Sequence, residues 1–255
     1  MTLEHLCQRI ALPESATVRV LAFPAMPDDI LLLLRTPGQW EEGRTRLKEH
    51  LVSDPDGFGT LAAHLQCALK TYEMYRDRGI SDEIFVATMK CFTRFVTEHR
   101  ASYGRYGFDR DFWTVRQLSA VLLRIGELEY EVQEDAIHLH IPSDAVLERP
   151  LLRESWAAAR AMLGDGDMVC HSWLLSPDLP GLLGENSRIV DFQRNFAIHS
   201  PEPDESFRQW VFKDPNLLND RLPESTRLQR ALKAFVLAGN TFRNAHGKLI
   251  SDPFE

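Results

Sequence analysis

The sequence predicts an α+β protein in which a helical N-terminal domain precedes a C-terminal domain built on a mixed sheet. Two observations support this fold class. Up to about residue 110, apolar residues recur every three or four positions, which is the helical period. After residue 120, apolar residues alternate with polar ones, and helical segments separate the alternating segments. We therefore expect a helical domain over residues 1–110 and an α+β domain over residues 111–255.

The N-terminal half is expected to be almost wholly helical. Its strongest helical patterns lie at 58–79 and 82–98, where aliphatic and aromatic side chains share one face. Gly79 is typical of a helix end. Ser81 is typical of the N-cap of the next helix, because its hydroxyl can accept a hydrogen bond from a first-turn amide.

The C-terminal half begins with a predicted β-hairpin, formed by segments 122–132 and 137–142. The four residues between the segments are enough for the hairpin loop. The glutamates of the first strand are interpreted as a solvated face. Cross-strand alignment gives two polar pairs, Glu131 with His138 and Glu129 with His140.

The remaining elements alternate between helices and strands. A strand at 169–175 carries apolar groups on both faces, which predicts burial on both sides. Its Cys170 and His171 point to opposite faces, so they cannot form a nucleophile–base pair, and Cys170 is interpreted as an inert buried thiol. The other predicted elements are helices at 150–163, 187–196 and 222–239, and strands at 196–200 and 207–212.

The composition excludes several classes of partner. The chain has 255 residues and a formal net charge of −8, which argues against nucleic acid and against an anionic membrane surface. No basic segment precedes an apolar core at the start, and the longest apolar run, at 30–34, is too short to span a bilayer. The 4 cysteines have no metal-ligand spacing, so we expect free thiols in the cytoplasm.

The order of these elements resembles the second half of the GNAT acyltransferase superfamily. Four segments resemble, more specifically, a bacterial family of two-domain proteins with a helical N-terminal domain and a GNAT-like C-terminal domain. They are "FWTVRQLSAVLLRIGELEYE", "IHLHIPSD", "CHSWLLSPDLPGLL" and "LPESTRLQRALKAFVLAG". The resemblance covers the whole chain. It implies that strands 137–142 and 169–175 are parallel neighbours that diverge at their C-terminal ends.

The resemblance also implies an activity, the transfer of an acyl group from CoA, or another pantetheine carrier, to an amine. Acyl-CoA would be the cosubstrate, held between the two diverging strands, and both donor and acceptor would be small molecules. Backbone amides of the loop after the first of these strands would hold the pyrophosphate. The implied donor-binding residues are Ile141, Ser143, Asp144, Ala145, Arg149, Cys170 and Ser172.

The loop at 142–150, "PSDAVLERP", departs from the superfamily's pattern of Arg/Gln-x-x-Gly-x-Gly/Ala. It has no glycine to allow close approach of the backbone to phosphate. Asp144 and Glu148 would repel a pyrophosphate, and Arg149 and Arg153 would offset this in part. The alternative function is therefore a non-catalytic member of the fold that binds a ligand or partner in the same cleft.

Three histidines are candidates for the proton acceptor. His138 and His140 lie on one strand face, about 7 Å apart along the strand, and His171 lies on the next strand. Imidazole suits general-base catalysis because it titrates near neutral pH. The alternatives are ordinary cross-strand contacts for the first two and a hydrogen-bonded core position for His171. A metal site in which all three are ligands and a fourth position stays open for water is a further alternative, but we expect no metal. The oligomeric state, the acceptor and the acyl chain stay open.

Overall fold

A computed structural model describes residues 1–133, 135–250 and 253–254. The chain forms two compact units, Met1–Arg124 and Ile125–Glu255. The first is helical and the second contains a mixed sheet, which confirms the predicted fold class. The domain limit expected between residues 110 and 111 stays a prediction. None of the described helices is both long and apolar enough to cross a membrane.

The first unit is described throughout. The predicted helix at 58–79 is α5, and the helix predicted at 82–98 is divided between α6 and α7. Ser81 caps α6, since its hydroxyl accepts from the amide of Ile84. The helices are α1 (Leu3–Arg9), α2 (Glu14–Leu21), α3 (Asp28–Leu34), α4 (Trp40–Leu51), α5 (Phe58–Asp77), α6 (Asp82–Met89), α7 (Cys91–Tyr103) and α8 (Asp111–Leu118).

A buried histidine lies in the core of this unit. His64 of α5 is completely buried, and its Nδ1 lies 2.9 Å from Thr114 Oγ1 on α8. Burial lowers the pKa of His64 to about 4; the charge of Asp111 opposes the shift and that of Arg44 adds to it. The imidazole is therefore neutral in the folded protein at neutral pH.

The second unit is built on a sheet whose described strands follow the order β1-β2-β3-β4-β6-β5. The strands are β1 (Leu122–Ile125), which crosses the limit between the units, β2 (Leu128–Val132), β3 (Ile137–His140), β4 (Met168–Ser172), β5 (Phe196–Pro203) and β6 (Arg243–Leu249). The described α-helices of this unit are α9 (Arg149–Leu163), α10 (Leu179–Leu183), α11 (Arg188–Gln193) and α12 (Arg227–Leu237).

The predicted register of the hairpin is confirmed. β2 and β3 are antiparallel, with Glu131 opposite His138 and Glu129 opposite His140. Part of the predicted loop at 133–136 lies outside the described residues, at position 134. β3 and β4 are parallel neighbours, as predicted, and α9 makes the crossover that parallel strands require.

Three predicted strands differ in extent from their sequence patterns, and the strand predicted at 137–142 ends at His140. The segment 122–132 contains two strands, because Gly126, with φ +62°, turns the chain between β1 and β2. The strand predicted at 169–175 ends at Ser172, whose hydroxyl accepts from the amide of Leu174 at 3.1 Å and starts a 3₁₀ turn. Trp173 therefore does not continue the strand face that carries His171.

The prediction of a strand at 207–212 is wrong, and β6 was not predicted. Residues Arg208–Phe212 form a helical turn that buries Val211 and Phe212 in the cluster around Phe242. A helical turn places residues four apart on one face, so Phe207 and Val211 reach that cluster together. β6 contains arginine, asparagine, histidine, glycine and lysine and no regular apolar alternation, so its sequence lacks the period of a strand.

Ser155 of α9 fixes the helix to the first hairpin of the sheet. Its buried hydroxyl donates to the carbonyl oxygen of Ile125, and it bonds the amide of Leu128 at 3.2 Å and the hydroxyl of Tyr130 at 3.1 Å. A Cβ at Gly126 would lie 2.8 Å from the Ser155 Cβ. The close approach of α9 therefore needs both the serine and the glycine.

Acidification should destabilise the protein through His64. Between pH 7 and pH 5 the unfolded histidine gains a proton while the buried one stays neutral, so the free energy of unfolding should fall by about 2 kcal/mol. As the pH falls, this loss of stability begins near the pKa of the histidine in the unfolded chain and is complete near the pKa of His64 in the folded protein. Urea unfolding of the wild type and His64→Gln at both pH values measures it, because the variant lacks this contribution. Equal losses in both proteins would contradict the assignment.

Ser155→Ala should destabilise the protein by about 1–3 kcal/mol, because it leaves buried hydrogen-bonding groups at Leu128 and Tyr130 without this partner. Urea unfolding monitored by circular dichroism measures the change. Ser102→Ala is the matched control, since that exposed hydroxyl bonds only the helix carbonyl of Glu98 among the described contacts. Equal stability of the two variants would show that the serine does not fix α9.

Candidate functional site

A row of histidines crosses three strands on one face of the sheet in the second unit. His171 of β4 lies opposite His246 of β6, and His246 lies opposite His199 of β5. Paired residues in neighbouring strands project to the same face, so the three imidazoles form one row. His246 was not singled out because β6 was not recognised, and without β6 the predicted strand that carries His199 had no known neighbour.

The predicted histidines of β3 lie on the same face. His138 is paired with Val169 of β4 in the parallel ladder, and the ladder ends at this pair although both strands continue. Strand alternation places His140 with His138 and His171 with Val169. His140 and His171 therefore follow the point where the pairing of β3 with β4 stops.

Glu131 holds His140 by a hydrogen bond between His140 Nε2 and Glu131 Oε2, 2.9 Å long. The imidazole is 24% exposed and the carboxylate 9% exposed, so the pair is partly shielded from solvent. Because Glu131 lies directly opposite His138, the bond to His140 is diagonal. The sequence analysis expected the glutamate and His140 on one face, but it paired His140 with Glu129.

The glutamates of β2 are buried, which corrects their interpretation as a solvated face. Counted as whole residues with their backbone, Glu129 is 2% exposed and Glu131 is 7% exposed. A buried carboxylate needs hydrogen-bond partners to offset its loss of hydration, and His140 supplies one for Glu131. On the polar face of the sheet, the glutamates of β2 are therefore buried, whereas the side chains of His171 and His246 are exposed to solvent.

His171 and His246 stack on each other beside a carboxylate. Their ring centroids are 4.0 Å apart and their planes differ by 1°. Glu202 Oε1 lies 3.4 Å from His171 Nε2 and 3.8 Å from His246 Nε2. Burial, followed by the charge of His246, lowers the pKa of His171, whereas the charges of Glu202 and Asp204 oppose the shift.

A β-bulge brings Glu202 to the histidine face. From His246 to Asn244, β6 advances two residues, whereas the paired segment of β5 advances three, from His199 to Glu202. The extra residue reverses the alternation, so Glu202 shares the face of His199. Ser200, within the bulge, has φ +50°, a left-handed conformation that is unfavourable for a residue other than glycine.

Among the described residues, the three histidines of the predicted metal alternative do not form a common ligand set. The group of His, Cys, Asp or Glu side chains whose ligand atoms lie within 4.8 Å of one another consists of His171, Glu202 and His246. One predicted histidine is therefore joined by two residues that the sequence analysis did not single out.

The loop after β3 contains the first four predicted donor-binding residues. Its turn is closed by the amide of Ala145, which donates to the Pro142 carbonyl at 2.9 Å. The amide of Val146 donates to Glu127 Oε2 at 2.7 Å. One backbone amide of the predicted pyrophosphate loop therefore already donates its hydrogen bond to a carboxylate of the protein. The other predicted members are Ile141, Ser143 and Asp144, of which the last two are exposed.

Arg149 also has a partner within the protein. Its guanidinium makes a bidentate pair with Asp191, at 2.8 and 2.7 Å. The hydrogen bond from Arg149 is the main cause that lowers the pKa of Asp191. Glu148, at the N-cap of α9, pairs with Arg188 at 3.0 Å. The charges around the start of α9 are therefore matched with one another.

Cys170 and Ser172, predicted to orient the pantetheine, lie on the core side of β4. Cys170 is 2% exposed, and burial raises the pKa of its thiol to about 12, so it is a poor nucleophile. The Ser172 hydroxyl accepts from the Leu174 amide. Their contacts with a donor stay predictions.

Comparisons with known proteins agree with the topology. Residues 1–120 match the model of the N-acyltransferase N-terminal domain, and residues 71–249 match that of the GNAT-like C-terminal domain. No curated protein matches the chain.

The chain is also similar to solved acyltransferase structures. One, in complex with decanoyl-CoA and teicoplanin, is 24% identical, with a TM-score of 0.78 over 96% of this chain and 86% of that chain. A mutant acyltransferase in complex with octanoyl-CoA is 25% identical, with the same TM-score and the same coverage. A third, in complex with decanoyl-CoA, is 23% identical, with a TM-score of 0.74.

Proposed function

Because the chain belongs to the family that joins an N-acyltransferase N-terminal domain to a GNAT-like C-terminal domain, we propose that it transfers an acyl group from acyl-CoA, or another pantetheine carrier, to an amine. One observation carries the proposal. The ladder between the parallel strands β3 and β4 ends at His138 and Val169, and His140 and His171 follow on the same sheet face. The acyl thioester then lies where the two strands separate.

The reaction is direct attack of the amine on the thioester. The amine nitrogen forms a C–N bond with the acyl carbon, the C–S bond breaks, and the pantetheine sulfur leaves and takes up a proton. A base removes the extra proton from the amine. His140 is the best placed of the three predicted histidines, because Glu131 accepts a hydrogen bond from its Nε2–H and so fixes the orientation and the tautomer of the ring. His138 and His171 are the alternatives.

The donor is held mainly by its pantetheine arm. Pantetheine amides need backbone partners from a strand edge, which do not depend on side-chain identity. The loop has few groups left to bind the pyrophosphate. The Val146 amide already donates to Glu127, and the charge of Arg149 is neutralised by Asp191. In this proposal Ile141, Ser143, Asp144, Ala145 and Arg149 line the donor's path, and a backbone amide near Cys170 and Ser172 orients the pantetheine.

The similar structures suggest which substrates to test. They contain octanoyl-CoA or decanoyl-CoA, and one also contains teicoplanin, so a medium-chain donor and an acceptor of that size come first. The free, buried cysteines agree with a reaction in the cytoplasm.

A second function is binding without catalysis, in the same cleft. The occupied Val146 amide and the paired Arg149 favour it, because an active enzyme that uses CoA is expected to grip the nucleotide. Failure of every CoA thioester and acyl carrier to bind the wild type would favour this function.

His140→Ala should lower the turnover number by about 10²–10⁴-fold, with little change in the dissociation constant for the donor, because the base acts in the transition state. Release of CoA from decanoyl-CoA in the presence of teicoplanin measures turnover, and calorimetry measures donor binding. His138→Ala and His171→Ala, assayed in parallel, identify the histidine that acts, and His50→Ala is a control for an exposed histidine elsewhere. Unchanged turnover in His140→Ala would exclude this residue as the base.

Glu127→Gln should tighten binding of decanoyl-CoA at least about threefold, because it removes a charge and a strong acceptor from the Val146 amide. Binding of S-decanoyl pantetheine, which lacks the nucleotide, should not change. Glu154→Gln, which removes the same charge from an exposed position on α9, is the matched control. An equal gain in affinity for decanoyl-CoA and for S-decanoyl pantetheine would show that Glu127 does not weaken binding of the pyrophosphate.

A further inference from the structure

We propose that His171, His246 and Glu202 bind a divalent metal ion of the zinc class on the open face of the sheet. The inference is independent of the acyltransferase proposal. It rests on three side chains from three adjacent strands, β4, β6 and β5, whose ligand atoms all lie within 4.8 Å of one another.

The spacing of the ligand atoms suits zinc. Glu202 Oε1 lies 3.4 Å from one Nε2 and 3.8 Å from the other. A tetrahedral zinc ion with bonds of about 2.0–2.1 Å holds its ligand atoms about 3.4 Å apart. The two distances from the carboxylate oxygen are therefore within about 0.4 Å of that value. The stacked imidazoles must tilt, since parallel rings direct their Nε2 lone pairs along parallel lines.

The backbone of the sheet already positions the three proposed ligands next to one another. The antiparallel register sets His171 directly beside His246. The bulge in β5 carries Glu202 onto their face at the cost of a left-handed Ser200. Strained backbone of this kind persists where the surrounding structure enforces it, and bulges re-aim side chains next to functional sites. The carboxylate is thus brought to two imidazoles by a specific departure from the regular strand.

The donor set selects the class of ion. Two imidazoles and one carboxylate are the protein ligands of an open zinc site, which keeps a fourth position for water or substrate. Imidazole also suits Cu²⁺ and Ni²⁺, whereas Mg²⁺ and Ca²⁺ prefer oxygen ligands. The imidazoles are 41% and 45% exposed, so an ion can reach them from solvent. His199 is next in the row, with its ring centroid 6.1 Å from that of His246.

Such an ion would change the chemistry of the face that carries the proposed base. Coordination uses the Nε2 lone pair of His171 and so removes this histidine from proton transfer. His140 belongs to the separate pair with Glu131 and keeps its own partner. The proposed metal site is therefore separate from the His140–Glu131 pair.

Calorimetric titration of the metal-free protein with ZnCl₂, in the absence of CoA, tests the proposal. We expect one equivalent of Zn²⁺ to bind the wild type. His171→Ala, His246→Ala and the nearly isosteric Glu202→Gln should each weaken binding at least about tenfold. His50→Ala, at an exposed position in the first unit, should bind as the wild type does. The absorption spectrum of added Co²⁺ should be that of a four-coordinate site and should be lost in Glu202→Gln.

Two results would overturn the proposal. One is the absence of saturable Zn²⁺ binding to the wild type. The other is equal binding by the wild type and the three ligand variants, which would place the ion on other surface histidines. Thermal unfolding verifies that Glu202→Gln is folded. Because the titration contains no acyl donor, its failure would leave the acyltransferase proposal unaffected, and failure of acyl transfer would leave this one unaffected.

Discussion

The pairing register of the sheet is the constraint on which the candidate site depends. A strand that slips by one residue turns all its side chains to the opposite face. In the observed register, His171, His246 and His199 form one row on the face that also carries His138 and His140. Cys170, one residue from His171, lies in the core for the same reason. The burial of the apolar face thus stabilises the fold and positions the polar one.

The contact between α9 and the first hairpin extends this constraint to the loop after β3. Ser155 approaches the chain so closely that position 126 must lack a side chain. The turn at Gly126 places Glu127 where its carboxylate accepts from the Val146 amide. The buried hydroxyl of Ser155 therefore influences, through the turn at Gly126, the loop after β3 that is expected to contact the donor's pyrophosphate. The loop's lack of glycine and the hydrogen bond from its Val146 amide to Glu127 both support the proposal that the pyrophosphate is held weakly.

Part of the site was predictable from local pattern. His138 and His140 lie in a short segment of strict alternation, so their shared face and their cross-strand neighbours followed from the hairpin register. The Glu131–His140 bond was less predictable, because both the direct and the diagonal neighbour can reach the imidazole. His246 and Glu202 were not singled out. β6 lacks alternation, and the bulge at Ser200 moves Glu202 to a face that simple counting assigns to Pro201.

The sequence by itself determined the fold class, the hairpin register and the helices of segments 58–98, 150–163 and 222–239, because these features follow from local periodicity. The resemblance to a known family added the parallel pairing of β3 with β4, for which α9 makes the crossover. Only the tertiary structure decided that Glu129 and Glu131 are buried, that Glu127 binds the Val146 amide, and that Glu202 joins His171 and His246. Each of these depends on residues distant in sequence, whose contacts form when the sheet assembles. Strand formation depends on such neighbours more than on intrinsic preference, so the short-range pattern of β5 and β6 carried little information about the site.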